Sequence, residues 1–511
     1  MATTHQPDST RAALRSTALA ALLAAIVLFT LLGHNRLTDW DEGIYAQVSR
    51  EMLSTGWLIP HWNSFVWIDK PPLTYWITTL FFHLFGVSEF TARLGSALAG
   101  VATVALLHSW LTLRPIGNVA HARLTAWLST LILLTTFGFL HVARVGETDT
   151  LLSFGCLLAV IGLAEVHRDN LPGWYLYWLG FAIALMSKGA ASGTLFFTLI
   201  ALATFGPSFF RTLRRDFALG FALFLALVLP WHLFMLHRFG QVFIRQYLGL
   251  HVLGRVAYQF DGHLTPWWYF FRVLLLSAPP FVLLYPLAVF SGLRQRALRP
   301  LAIFVLVQFI AFTCIQTRLP HYMAPTYAPF AALVAIWITT RLDALTLTRP
   351  RALQLSTATI VLWLLSAWIT AAPRSRLHSP RLPNGDVTPN NREQVALLKQ
   401  VFAHPSPAIA AIPGPLLDWR PGHYNPIPTV IFYADRPVQQ VQLQPLPPDT
   451  PTDIYAFNPK PLAATVGLQP SLIFLDPTLL PQLPAGYTFH PLATSPTLAV
   501  GIIAQNQPLS R

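Results

Sequence analysis

Between Asp39 and Trp76 the chain collects Asp39, Asp41, Glu42, Glu51 and Asp69, although only 11% of its 511 residues are charged. Carboxylates at the edge of an apolar run have two uses, deprotonating a hydroxyl or holding a cation, and a plain alternative, solvation at a boundary. Asp69-Lys70 is followed by Pro71-Pro72, whose rings fix the backbone behind an acid and a cation and also punctuate a helix start. Arg144, Glu147 and Asp149 precede another apolar run, where Asp149 is equally suited to capping. A loop at 239–266 holds Tyr247, His251, Arg255 and His263, and a Pro-bracketed turn holds Arg318, His321 and Tyr322. His251 and Arg255, four apart, share a face if that part is helical. Acids with a histidine suit a hard or borderline divalent cation (Zn, Mg or Mn). Lys70, Arg255, Arg318 and Tyr322 supply donors for a phosphate.

The elements that must position these groups are membrane helices. The chain is 54% hydrophobic, with 35 Phe and 16 Trp and a mean hydropathy of +0.49, a composition of polytopic membrane proteins. Apolar runs fall near 17–33, 93–113, 124–140, 149–166, 174–187, 190–206, 217–236, 267–290, 300–315, 322–340 and 351–371, most near the roughly 20 residues a span needs. The shorter run Leu73–Phe85 fits an interfacial or re-entrant segment. With the amino end cytoplasmic and 73–85 not crossing, the loops of Arg114 and Arg123, of Arg168, of Arg211, Arg214 and Arg215, of Arg294, Arg296 and Arg299, and of Arg341, Arg349 and Arg351 share the cytoplasmic side. About eleven spans result, with every candidate group on the extracytoplasmic face. The net charge of +13 therefore marks orientation in a bilayer, not nucleic-acid binding. Cys156 and Cys314, both in apolar runs, argue against a disulfide framework, and the chain has no Walker loop or Gly-rich dinucleotide turn, so no nucleotide cofactor is expected. Residues 1–371 are expected to form the membrane domain, with the site built from loops 34–92 and 239–266. Residues 372–511, rich in Pro, are expected to form a small α/β or β-rich extracytoplasmic domain. Its expected elements are a helix from Asn390 to Phe402 opened by a capping box with Glu393, and strands at Val430–Tyr433, Ile454–Phe457, Leu472–Leu475 and Leu498–Ile502.

Asp41-Glu42-Gly-Ile-Tyr45-Ala, Asp69-Lys70-Pro71-Pro72-Leu-Thr-Tyr75-Trp76 and Ala92-Arg93-Leu94 are followed in order by Ala143-Arg144 with Asp149, Ser187-Lys188-Gly189, His251 with Arg255, Pro266-Trp267 and Arg318-Leu-Pro-His-Tyr322. This series resembles the GT-C membrane glycosyltransferases of the aminoarabinose transferase and protein O-mannosyltransferase-like family over about residues 25–340. The resemblance implies an all-α polytopic GT-C fold in a bacterial inner membrane. It implies transfer of a sugar from a polyprenyl-phosphate donor to a lipid A, glycolipid, polysaccharide or protein acceptor. Asp41 matches the first-loop acid, with Glu42 and Asp149 as further catalytic candidates; Asp69 and His251 match metal-ligating positions; Lys70, Arg255 and Tyr322 match positions that hold the polyprenyl phosphate. Arg318 and Tyr45 join them as substrate-binding candidates. Asp69 stands where the family has Glu, Ile44 where the aminoarabinose enzymes have Arg, and Arg318 where Lys is usual. A transporter or flippase for lipid-linked sugars is the alternative, and it calls for polar midplane sites, whereas the apolar runs hold little beyond Ser, Thr, Gln308 and His108.

Overall fold

The computed structural model describes residues 7–117, 119–204, 214–254, 265–342, 391–420, 427–443, 459–466 and 469–506. The chain divides into two compact units. The first is Met1–Leu32, Ile68–Phe81 and Phe90–Asn384; the second is Gly33–Trp67, Phe82–Glu89 and Gly385–Arg511. The division is not the linear one at residue 371: the loop at 33–67 groups with the carboxyl-terminal chain.

The first unit is helical. Among the described residues six helices are long and apolar enough to span a bilayer: Thr10–Phe29, Glu89–Leu113, Asp149–His167, Gly173–Thr204, Arg215–Phe239 and Pro320–Arg341. A seventh span results if Val119–Thr135 and Phe137–Ala143, bent by 71° at their junction, count as one. Leu73–Phe85, Phe281–Arg294 and Arg299–Cys314 are shorter apolar helices, and the expected span at 351–371 lies outside the described residues. We name three helices: α1 (Pro7–Phe29), α2 (Asp149–His167) and α3 (Gly173–Lys188).

Helices α2 and α3 form an antiparallel pair whose seam is made of glycine. A Cβ on Gly155 would lie 2.6 Å from the Gly180 carbonyl oxygen, and one on Gly162 would lie 2.5 Å from that of Gly173. The glycines recur seven residues apart on each helix, one face at every second turn, so the backbones touch along the whole seam. In lipid, where burying apolar surface gives no drive for association, this close approach supplies the van der Waals contact. Its register brings the start of α2 beside the end of α3.

Two motif arginines secure the end of α1. Arg144 donates to the carbonyls of Val27 (2.7 Å), Leu28 (3.1 Å) and Thr30 (2.7 Å), and Arg93 donates to that of Leu32 (2.9 Å). Carbonyls in the last turn of a helix have no intrahelical donor, and a guanidinium there satisfies them and the helix dipole together. At the opposite end of the bundle Glu165 accepts from Trp110, Arg114, Arg168 and Asn170, and Arg296 pairs with the neighbouring Asp169. The loops of Arg114, Arg168 and Arg296 thus meet at one end, as the charge pattern required.

The second unit contains a six-stranded mixed sheet. Its strands are β1 (Leu416–Trp419), β2 (Val438–Gln442), β3 (Lys460–Pro461), β4 (Ser471–Leu475), β5 (Tyr487–Thr494) and β6 (Ala499–Gln505), in the order β3-β2-β1-β4-β6-β5. Pairings are parallel from β3 through β4 and antiparallel from β4 to β5. Leu417, Ile473, Leu475, Ala499 and Ile503 are the centre of its core. The strands expected near 472 and 498 are present, and Ile454–Phe457 lies outside the described residues. Val430–Tyr433 is not a strand but part of a buried helix, Pro428–Ala434. A short apolar run buried all round carries no period that separates the two, and Pro428 at the first helical turn starts the helix. The helix expected at 390–402 is present as Asn391–Phe402, but Glu393 accepts from Thr497 of the β5–β6 turn.

The 33–67 loop folds onto this sheet unit. Asn63, at φ 52°, donates to the Val438 carbonyl (3.0 Å) and accepts from its amide (2.7 Å), so one side chain acts as an extra ladder position on β2. Gly43 abuts Pro428, against which an added Cβ would lie 2.9 Å away, and Arg50 pairs with Asp435 at 2.5 Å.

Candidate active site

The first unit's polar groups converge around Gly189. Its φ of 61° is a left-handed conformation that glycine adopts freely. A Cβ there would lie 2.8 Å from the Tyr247 hydroxyl and 3.5 Å from Pro71, so three distant segments close on one point. Beside Pro71, Lys70 donates to Asp69 at 2.7 Å, with side chains 10% and 7% exposed. Beside Gly189, Lys188 donates to Asp149 at 2.5 Å, with side chains 8% and 2% exposed. The glycine seam accounts for this second pair, which joins the last residue of α3 to the first of α2.

Removing four charged groups from water costs several kcal/mol per ion before pairing, so stability alone is a weak reason for such pairs. Asp149 also has an unmet demand: its Oδ1 is buried without a hydrogen-bond partner among the described residues. Glu147, Asp149 and His321 each bring a ligand atom within 4.8 Å of the others. The 3₁₀ turn Pro320–Thr326 delivers His321 together with Tyr322, over whose ring the Lys188 ammonium lies at 5.7 Å. Gln308 fixes that turn by donating to the Tyr322 carbonyl at 2.8 Å. Tyr247 is bonded to His232 at 3.2 Å, and burial, aided by the Asp69 charge, pushes its phenol well above the ordinary range.

Of the residues expected from sequence, Asp69, Lys70, Asp149 and Tyr322 belong to this cluster. Arg318 stands apart, since its guanidinium donates to the carbonyls of Thr265 (2.5 Å) and Thr313 (2.9 Å) and braces the turn. Arg255 and the side chain of His251 lie outside the described residues. Lys188, Glu147 and His321 were not singled out as site residues. The signal for Lys188 was present, a lone cation closing a long apolar helix.

Asp41, Glu42 and Tyr45 belong to the second unit, on the helix Asp41–Thr55. Glu42 is fully buried and turns back to accept from the Thr38 amide (2.7 Å) and hydroxyl (3.0 Å), securing the helix start. Asp41 is half-buried, and its carboxylate has no hydrogen-bond partner among the described residues. Tyr45 is buried. Of the adjacent acids one is therefore committed to the fold and the other is available for chemistry.

A family model described as dolichyl-phosphate-mannose-protein mannosyltransferase matches residues 69–234. The chain is 28% identical over 335 residues to the undecaprenyl phosphate-alpha-4-amino-4-deoxy-L-arabinose arabinosyl transferase of Pectobacterium carotovorum subsp. carotovorum, covering 64% of this chain and 59% of that relative. It is 27% identical over 350 residues to the enzyme of the same description from Yersinia pestis, covering 66% and 62%. The matched region thus spans about three-fifths of these relatives' length. The crystal structure of ArnT from Cupriavidus metallidurans bound to undecaprenyl phosphate superposes with a TM-score of 0.71 at 18% identity, covering 95% of this chain and 97% of that one. The chain has the GT-C fold of these membrane glycosyltransferases. An Archaeoglobus fulgidus oligosaccharyltransferase shares the fold more distantly, with a TM-score of 0.52 at 14% identity over 83% of this chain and 64% of that one. This GT-C chain is accordingly a multi-pass membrane protein, mostly helical, with a small carboxyl-terminal sheet unit.

Proposed function

We propose that the protein transfers a sugar from a polyprenyl-phosphate-linked donor to a membrane glycolipid of the lipid A type. Transfer takes place on the extracytoplasmic face of a bacterial inner membrane, with the amino end cytoplasmic. The observation that carries this is the pair of buried lysines, Lys70 and Lys188, each oriented by its own carboxylate, with Lys188 also lying over the Tyr322 ring. In the reaction the bond from the anomeric carbon to the phosphate oxygen breaks, and its electron pair stays on the phosphate. Fixed cations aimed at that oxygen in a water-poor setting stabilise the developing charge without reorganising. The acceptor hydroxyl forms the new bond to carbon, and its proton goes to a carboxylate. Asp41 is the residue that the resemblance assigns to this step, and its uncommitted carboxylate suits it. Tyr322 and Tyr247 offer phenols to phosphate or sugar oxygens.

A divalent cation would find its donors at Glu147, Asp149 and His321, where Asp149 Oδ1 needs a partner. It would supply charge neutralisation for the leaving phosphate. Asp69, already bonded to Lys70, suits an orienting role.

The test is equilibrium binding of radiolabelled polyprenyl phosphate to purified protein in nanodiscs. Wild type should bind it, and Lys70→Met and Lys188→Met should each weaken binding by roughly tenfold or more, since a charge-assisted hydrogen bond contributes about 1.5–3 kcal/mol. Equal binding by all three would remove the lysines from the phosphate site.

A further inference from the structure

A second group of orphaned polar atoms lies wholly within the second unit. A cleft of about 400 Å³ is lined by Gln47, Arg50, Glu51, His61, Asp435 and Arg436. Three of its side chains hold a buried polar atom without a hydrogen-bond partner among the described residues: Gln47 Oε1, His61 Nδ1 and Arg436 Nε. Each such atom carries a desolvation cost that a fold normally removes.

The partners these residues do have define what the cleft presents. Gln47 donates its amide nitrogen to Glu51 at 2.8 Å, and a carboxylate accepts only, so the amide orientation is fixed and Oε1 is left as an acceptor. Glu51 is held in turn by the amides of Asn63 (2.8 Å) and Ser64 (2.9 Å). Arg436 donates from Nη1 to the Ile412 carbonyl at 3.3 Å, which leaves Nε as a donor. Arg50 bonds the Phe432 carbonyl at 2.7 Å and pairs with Asp435. The lining thus carries two guanidinium groups and two carboxylates, and the charges cancel. An anion or a cation would meet one repulsive partner for each attractive one. A neutral ligand whose hydroxyls both donate and accept would satisfy an acceptor, a donor and an imidazole nitrogen of either kind at once. The volume lies within the range of about 300–1,000 Å³ usual for small-ligand sites.

We propose that this cleft binds a neutral, hydroxyl-rich ring, one saccharide unit, at a site separate from the Lys70–Lys188 cluster. That the polyol is a saccharide rests on the sugar-transfer reading, and the site would hold a neutral sugar of the acceptor glycan. Gln47 accepts from one hydroxyl, Arg436 Nε donates to another, and His61 Nδ1 takes whichever role the third requires.

Saturation-transfer NMR of the full chain in a non-glycosidic detergent tests this, with glucose, galactose, mannose and N-acetylglucosamine as probes and sorbitol as the acyclic control. At least one pyranose should receive saturation and sorbitol should not. Gln47→Met and Arg436→Lys, the second keeping the charge while removing Nε, should each weaken that binding by about tenfold in protein that still unfolds cooperatively, the loss of one hydrogen bond to the ligand. Release of polyprenyl phosphate to water should persist in both variants. No pyranose signal, an equal signal from sorbitol, or full binding by both variants would overturn the proposal, the last two identifying a non-specific surface. Saccharide binding without any donor turnover would leave the cleft standing and remove the transferase reading.

Discussion

Replacing Lys188 by methionine separates the two roles that its pair with Asp149 could have. The side chains are 8% and 2% exposed, so the variant strands a carboxylate whose Oδ1 already lacks a partner among the described residues and whose Oδ2 has lost its donor. Breaking a buried pair from one side costs about 3–5 kcal/mol, whereas replacing both members with apolar groups of similar volume is neutral or stabilising by about 1–4 kcal/mol. Lys188→Met should therefore lower the thermal midpoint by several degrees, and Lys188→Met/Asp149→Leu should restore it. Activity should behave otherwise. Loss of one fixed donor at a developing oxyanion lowers turnover by about 10²–10³, and a repaired fold does not replace the donor. Thermal unfolding in detergent and donor turnover, measured on the single and double variants, give the two readouts. A double variant that regained both stability and turnover would refute the catalytic placement and leave the pair as structure only.

The adjacent acids of the second unit should also separate. Asp41→Asn should leave the midpoint unchanged while lowering turnover by about 10²–10⁴, and Glu42→Gln should weaken the helix start by about 1 kcal/mol or more with a smaller effect on turnover. Comparing midpoint with kcat for each checks this. Gly155→Leu drives a side chain into the Gly180 carbonyl, 2.6 Å from where its Cβ must sit. It should cost at least about 1–3 kcal/mol, seen as loss of monodisperse protein on gel filtration, and should remove turnover by displacing Asp149 from Lys188. Arg318→Ala should lower the midpoint by releasing the carbonyls of Thr265 and Thr313, and Arg318→Lys should recover little, since an ammonium cannot span both in the planar geometry of a guanidinium.

The helical character of the first unit was legible because hydropathy obeys strong physical rules, and Arg114 and Arg168, expected on one side, share Glu165. The cluster of Asp69, Lys70, Asp149 and Tyr322 was legible as residue types, but not as two ion pairs, because Lys188 reaches Asp149 only through the register of the glycine seam. That seam is written in the sequence as four glycines with two seven-residue spacings, Gly155 with Gly162 and Gly173 with Gly180. Glu42 stands beside Asp41 as a catalytic candidate, and the hydrogen bonds from Thr38 that tie its Oε2 to the helix start are not something spacing reveals. Val430–Tyr433 reads as a strand but forms a helix, because a run buried on every side loses the period that separates the two. The grouping of 33–67 with the carboxyl-terminal chain depends on single contacts such as Asn63 with Val438, far apart in sequence and without a local signature.

A single-turnover experiment on protein in proteoliposomes, loaded with a radiolabelled polyprenyl-phosphate sugar and a lipid A acceptor, bears most directly on the proposed reaction. Sugar transfer should cleave the donor, so that polyprenyl phosphate and labelled glycolipid appear together in wild type and neither appears with Lys188→Met or Asp41→Asn. An intact donor that merely changes leaflet would contradict it and make the protein a carrier of lipid-linked sugars.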